Sequence, residues 1–142
     1  MARAAFTSAE GRARLVHADE AQPADLLAAA GYLFACPENL GGMSGAMKEM
    51  FDRCYYPLLG RIEGRPYATL IAAGSDGTGA QMQIDRIVTG WRLRRVAEPL
   101  IVNMQAQTAE AILAPKTVPE AALAGCRELG ATLAEGIALG LW

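Results

Sequence analysis

Apolar residues concentrate in four short runs: residues 13–18 (ARLVHA), 31–36 (GYLFAC), 67–73 (YATLIAA) and 99–104 (PLIVNM). Within each run the apolar positions are nearly continuous rather than alternating, the pattern of strands in a parallel sheet covered on both faces. Between the runs the period changes to that of a helix. Pro23 suits the first turn of a helix over PADLLAAA, which Gly31 ends. Met47, Met50, Phe51, Cys54 and Leu58 form one stripe, with Lys48, Glu49, Asp52 and Arg53 outside it at spacings that allow pairing four residues apart. Ala80, Ile84, Ile87, Val88 and Trp91 repeat the pattern, as do Ala122, Cys126, Leu129, Leu133 and Ile137. Thr117 and Glu120 have capping-box spacing ahead of that last stripe. Strands alternating with helices predict an α/β fold: an open parallel sheet with helices on both faces, in a single domain over 1–142.

Charge and composition narrow the function classes. Lys+Arg 13 against Asp+Glu 15 leaves a net charge of −2, too balanced for a nucleic-acid partner or an anionic membrane surface. Cys36, Cys54 and Cys126 are widely spaced and form no CxxC pair. With a lone His17 they make no metal set, and they read as small buried thiols in a reducing compartment. No apolar run reaches membrane-spanning length and no leader pattern opens the chain, so a cytoplasmic location is expected. His17 reads as a solvated or capping residue, Tyr55, Tyr56 and Trp91 as core packing, and WRLRR (91–95) as a solvated helix exit. No Ser/His/Asp or Cys/His set assembles, so no catalytic side chain is expected.

Chemistry is expected at the carboxyl ends of the strands, where open α/β sheets bind ligands. The segment CPENLGGMSG (36–45) leaves one such end. There Pro37 directs the chain away from the sheet, and Gly41, Gly42 and Gly45 let the backbone approach a flat ligand. Ser44 is placed to cap the helix that follows. It is no phosphate loop of the Walker type, because Lys48 is followed by Glu49. The segment GSDGTGAQ (74–81) leaves the next end, its glycines ordered GxxGxG rather than GxGxxG, and resembles an anion or ligand turn. The segment 103–117 is long and mixed, suited to a lid or a subunit contact. A site of glycine and backbone without catalytic side chains suits a cofactor that carries its own reactivity.

ACPENLGGMSGAMKEMFDR, through Pro37, Glu38, Gly41, Gly42, Ser44, Gly45, Lys48, Phe51 and Asp52, resembles a loop and helix of the flavodoxin-like superfamily, in its NAD(P)H-dependent FMN reductase and quinone reductase branch. AAGSDGTGA is similar to that superfamily's second flavin-side loop. The resemblance runs from about residue 12 to the C-terminus. It implies FMN as cofactor and NAD(P)H as reductant, with hydride passing from nicotinamide to flavin and on to a small-molecule acceptor such as a quinone or a flavin. Carried over by position, Pro37, Glu38, Asn39, Leu40, Gly41, Gly42 and Met43 border the ring, with Ser44 beside them. Gly74, Ser75, Asp76, Gly77, Thr78 and Gly79 close its other side.

The same resemblance exposes a departure. Members open with a strand and a phosphate loop, whereas MARAAFTSAEG looks like the first helix already under way. The expectation is therefore an N-terminally incomplete domain with Met1 internal to the natural product and FMN binding weakened or absent. Residues 13–18 then either pair directly with 31–36 or leave an edge that a homodimer covers, a dimer to which the apolar tail GIALGLW also points. The alternatives are a flavodoxin-like domain serving as a structural or interaction module without cofactor, and an electron-carrier flavodoxin, against which the weak net charge speaks.

Overall fold

A computed structural model describes all residues 1–142. In chain order the elements are α1 (Ala2–Ser8), α2 (Pro23–Ala28), β1 (Tyr32–Asn39), β2 (Gly42–Met43), α3 (Gly45–Leu58), β3 (Pro66–Ala73), α4 (Thr78–Gly90), β4 (Arg94–Arg95), β5 (Leu100–Asn103), α5 (Ala109–Leu113) and α6 (Glu120–Ala138). The fold is an α/β sandwich, an open mixed sheet with helices on both faces. β1 and β3 run parallel from Tyr32↔Tyr67 to Pro37↔Ala72. On the far side of β3, β4 pairs at Pro66 and Tyr67 and β5 at Leu70 to Ala73, end to end along one edge. β2 folds back antiparallel on the end of β1, at Glu38↔Met43 and Asn39↔Gly42.

Both β–α–β connections step across the sheet in the same direction, so crossovers of one hand place α3 and α4 on one face. There Tyr32, Phe34, Cys36, Tyr67 and Ile71 meet Met47, Met50, Phe51, Cys54, Leu58, Ile84, Val88 and Trp91. The stripe expected for α3 is buried throughout. Leu70 faces the other way, onto Ala5 of α1 and Cys126 of α6. α1 lies close on α6 because position 130 is glycine: a Cβ there falls 2.2 Å from the Ala5 carbonyl oxygen. All three cysteines are buried and unpaired, as their scattered positions imply.

Several details depart from the sequence reading. Residues 13–17 form no strand, and their backbone N–H groups enter no backbone hydrogen bond. A strand exists only through its neighbour. Nothing pairs with the outer edge of β1 between Tyr32 and Pro37, so the expected direct pairing with 31–36 does not form. Instead Arg53 holds the segment after it, donating to the carbonyls of Ala18 (2.7 Å) and Ala21 (2.9 Å). Pro37 does not lead the chain out of the sheet; β1 continues through it to Asn39. An edge strand tolerates proline because the missing N–H is not needed on the open side. The capping box at Thr117 is not formed. α6 begins after Pro119, since the residue before a proline, Val118, is disfavoured in helical geometry. Tyr56 is exposed rather than core, while Trp91 is fully buried.

Candidate functional site

The carboxyl ends of β1, β3 and β5 lie on one edge of the sheet, and the segments leaving them meet there. β1 turns into β2 through Leu40 and Gly41, whose φ angles of 53° and 76° are both positive. That is the requirement of a two-residue hairpin turn of type I′, which favours Asn-Gly. Leucine at the first position is strained, and its side chain touches nothing: Leu40 is fully exposed. Leu40→Asn is therefore expected to stabilise the fold by roughly 0.5–1 kcal/mol, relieving the left-handed backbone of a non-glycine residue. Urea unfolding of the two proteins measures it, and an unchanged midpoint counts against the turn geometry.

The hairpin packs on α4. Met43 N–H donates to Gln83 Oε1 at 2.9 Å, and a Cβ on Gly79 falls 2.0 Å from the Gly41 carbonyl oxygen. Glu38 joins the first loop to the second. Its Oε1 accepts from Gly77 N–H at 2.8 Å and its Oε2 from Ala80 N–H at 3.0 Å. The turn 74–79, expected to bind an anion, thus already holds one from the chain itself. Ser44 caps α3 as expected, accepting from Met47 N–H at 3.4 Å.

The third segment is tied to the second. Asn103 Nδ2 donates to the Ser75 carbonyl, and Asn103 Oδ1 accepts from Gln105 N–H at 2.7 Å. Ala106 N–H donates to the Gly74 carbonyl at 2.6 Å. Neither Gln83 nor Asn103 was selected from the sequence. Asn103 carried one legible sign, a polar residue ending an apolar run at this edge; Gln83 carried none. α5 buries no residue and exposes Ile112 and Leu113.

What remains open at this edge is backbone. The N–H groups of Leu40, Gly41, Gly74, Ser75 and Asp76 donate to no acceptor in the chain outside the regular elements. Of the positions expected to bind, Gly42, Met43 and Gly77 are buried, and Glu38, Ser44, Gly74 and Gly79 are half-buried. Pro37, Asn39, Leu40, Gly41, Ser75, Asp76 and Thr78 face outward. Titratable chemistry lies elsewhere. Burial first, then the bond to Asp85, pushes the Tyr67 hydroxyl up to about 12, but Tyr67 sits at the start of β3, the opposite end of the sheet. Burial raises the Cys36 thiol beneath the first loop, which keeps it protonated and inert.

Residues 12–107 match the family model described as NADPH-dependent FMN reductase. This chain belongs to that family. A curated flavodoxin from Aquifex aeolicus (strain VF5) is 31% identical over 131 residues, covering 89% of this chain and 70% of that one. Among solved structures, a flavodoxin, WrbA-like protein from Agrobacterium tumefaciens superposes with a TM-score of 0.73 at 16% identity, over 96% of this chain and 87% of that one. The flavoenzyme NAD(P)H:(acceptor) oxidoreductase FerB from Paracoccus denitrificans gives 0.65 at 15% identity, over 95% and 86%. Family membership makes this chain an FMN-dependent NAD(P)H oxidoreductase in the broad sense, with FMN as cofactor and NAD(P)H as reductant.

The residues present fit part of that cofactor. Unpaired amides on two facing loops suit the carbonyl-bearing rim of a flat ring, and a Cβ on Gly41 would meet nothing within 4 Å, so the approach is open. A phosphate finds no comparable place. The helix N-termini at this edge are taken by Ser44, Glu38 and Thr108, and Lys48 is paired with Asp52 at 2.6 Å. FMN, when bound, supplies the hydride-accepting and hydride-donating centre. The chain's own part would be to hold the ring rim by the backbone N–H groups of Leu40, Gly41 and Gly74–Asp76.

Proposed function

We propose that this chain is a flavin or quinone reductase. It takes hydride from NAD(P)H onto FMN and delivers it to a small acceptor, a quinone or a free flavin. Pro37 to Ser44 border the ring and Gly74 to Gly79 close it from the other side. The observation that carries this reading is the set of unpaired amides at Leu40–Gly41 and Gly74–Asp76, gathered at the carboxyl edge of the sheet in a member of an FMN reductase family. The acceptor class is supported by the likeness to FerB, an NAD(P)H:(acceptor) oxidoreductase. A homodimer completes the proposal, drawing on the unpaired edge of β1 and the apolar end of the chain, where Leu139 and Leu141 are exposed.

The likeness to a curated flavodoxin favours a second reading, an electron carrier. The net charge of −2 supports the reductase instead, since carriers of the flavodoxin type are strongly acidic. Two measurements separate them. Titrating FMN with the protein is expected to quench flavin fluorescence. Adding NADPH and a soluble quinone should then give steady NADPH oxidation that depends on both protein and FMN. Quenching without turnover would favour the carrier, and no quenching would remove both readings.

A further inference from the structure

The helix α4 lacks a cap of its own. Its N-cap is Gly77, at a left-handed φ of 100°, and no side chain of the helix's first residues bonds the free N–H groups. Glycine is required there twice over, because a Cβ would also fall 2.4 Å from Ile101 Cγ2. A helix N-terminus with unfilled donors attracts anions through those donors and the helix dipole. Here Glu38 fills it from another element, the end of β1, with one carboxylate oxygen on Gly77 N–H and the other on Ala80 N–H.

We propose that Glu38 is a positioning residue for the flavin. Its carboxylate is the built-in anion of the α4 N-terminus and fixes the separation between the two sets of amides that meet the ring. The inference rests on the FMN reading above. Glu38 stands between both sets: Leu40 and Gly41 follow it after Asn39 in the hairpin, while Gly74–Asp76 run into the N-terminus that it holds. A flat ligand needs both rims at one spacing, and the other polar tie from this hairpin to α4, Met43 to Gln83, lies a helical turn further along. Two charge-assisted bonds from one side chain define that spacing more tightly than a neutral contact would. The same occupancy closes the α4 N-terminus to a ligand's phosphate, so this site takes the ring and leaves anionic groups outside.

The test uses the 142-residue chain, with Glu38→Gln and Glu38→Ala beside wild type. FMN affinity is read by fluorescence quenching, and the exchange of the Gly77 and Ala80 amides by NMR. Glu38→Ala is expected to weaken FMN binding about tenfold, the scale of a lost helix cap, and to speed exchange at both amides. Glu38→Gln keeps one acceptor oxygen and falls between. Sodium acetate added to Glu38→Ala should recover FMN affinity and amide protection by supplying the missing carboxylate, while sodium chloride at equal ionic strength should not. A merely destabilised variant would show no such rescue. Wild-type affinity in Glu38→Ala, or acetate without effect, overturns the role of Glu38 and leaves the FMN reading standing. A wild-type chain that does not quench FMN overturns both.

Discussion

Gly79→Ala is expected to separate the hairpin from α4 and to abolish measurable FMN binding. Alanine in the first turn of a helix is ordinarily the better residue, by about 0.8–1 kcal/mol over glycine. Here the added methyl group falls 2.0 Å from the carbonyl oxygen of Gly41, 2.8 Å from its carbon and 3.2 Å from Glu38 Oε2. Two of those three atoms are backbone, which cannot swing aside as a side chain end can. Relief requires the β1–β2 turn to move as a unit, and Glu38 must then stretch or break its bonds to Gly77 and Ala80. The steric term exceeds the propensity term, so the net effect is destabilising and is concentrated at the site. FMN titration and urea unfolding, run together, check it. A variant stabilised by the propensity increment with unchanged FMN binding would mean that the two loops are not packed as described.

The second large effect lies on the opposite end of the same helix. Trp91 is fully buried, stacked on Tyr55 at 5.8 Å and tilted against Phe51 at 5.4 Å. Its indole N–H donates at 3.0 Å to the carbonyl of Tyr55, one of the last carbonyls of α3, which a helix leaves without a partner of its own. Trp91→Ala is expected to cost about 3–5 kcal/mol from lost packing, with the orphaned carbonyl adding to it. Against a total stability of roughly 5–15 kcal/mol for a domain, that brings the chain close to unfolding at room temperature. Circular dichroism against urea measures the loss, since the buried indole is itself removed and only Trp142 remains as an indole fluorophore. A shift of the midpoint worth less than about 1 kcal/mol would contradict the burial assigned to this ring.

The sheet and its helices were legible because their signals are local and repeated. The α3 stripe needs only a count of three and four from Met47 to Leu58, and every member is buried. The run 13–18 reads as strand by the same local rule and fails because strand formation depends on a neighbour, which no single run reports. Pro37 misled for a related reason: its effect depends on which side of β1 is open. The candidate site was legible as glycine spacing, which picked out the two loops that the fold brings together at one edge. The tie between them was not. Glu38 and Ala80 are 42 residues apart, and nothing at either position announces that one carboxylate satisfies the other's amide. Gln83 was invisible in the same way, since a polar side chain that bonds a distant backbone group looks like any surface residue until the chain is folded.

The outer side of β1 has a consequence for handling the molecule. From Tyr32 to Pro37 the strand buries one face and half-buries the other up to an exposed Pro37, yet pairs with nothing along its outer side, and the stretch carries no charged side chain. Of the usual deterrents to strand addition, lysine and inward-pointing charge are absent, and Pro37 blunts only the last position of the stretch. With a net charge of −2, repulsion between molecules is weak. The concentration at which this protein stays dispersed will therefore be governed by six residues of backbone rather than by its surface as a whole, and a single lysine at Leu33 or Ala35 should move that limit more than several charges added elsewhere.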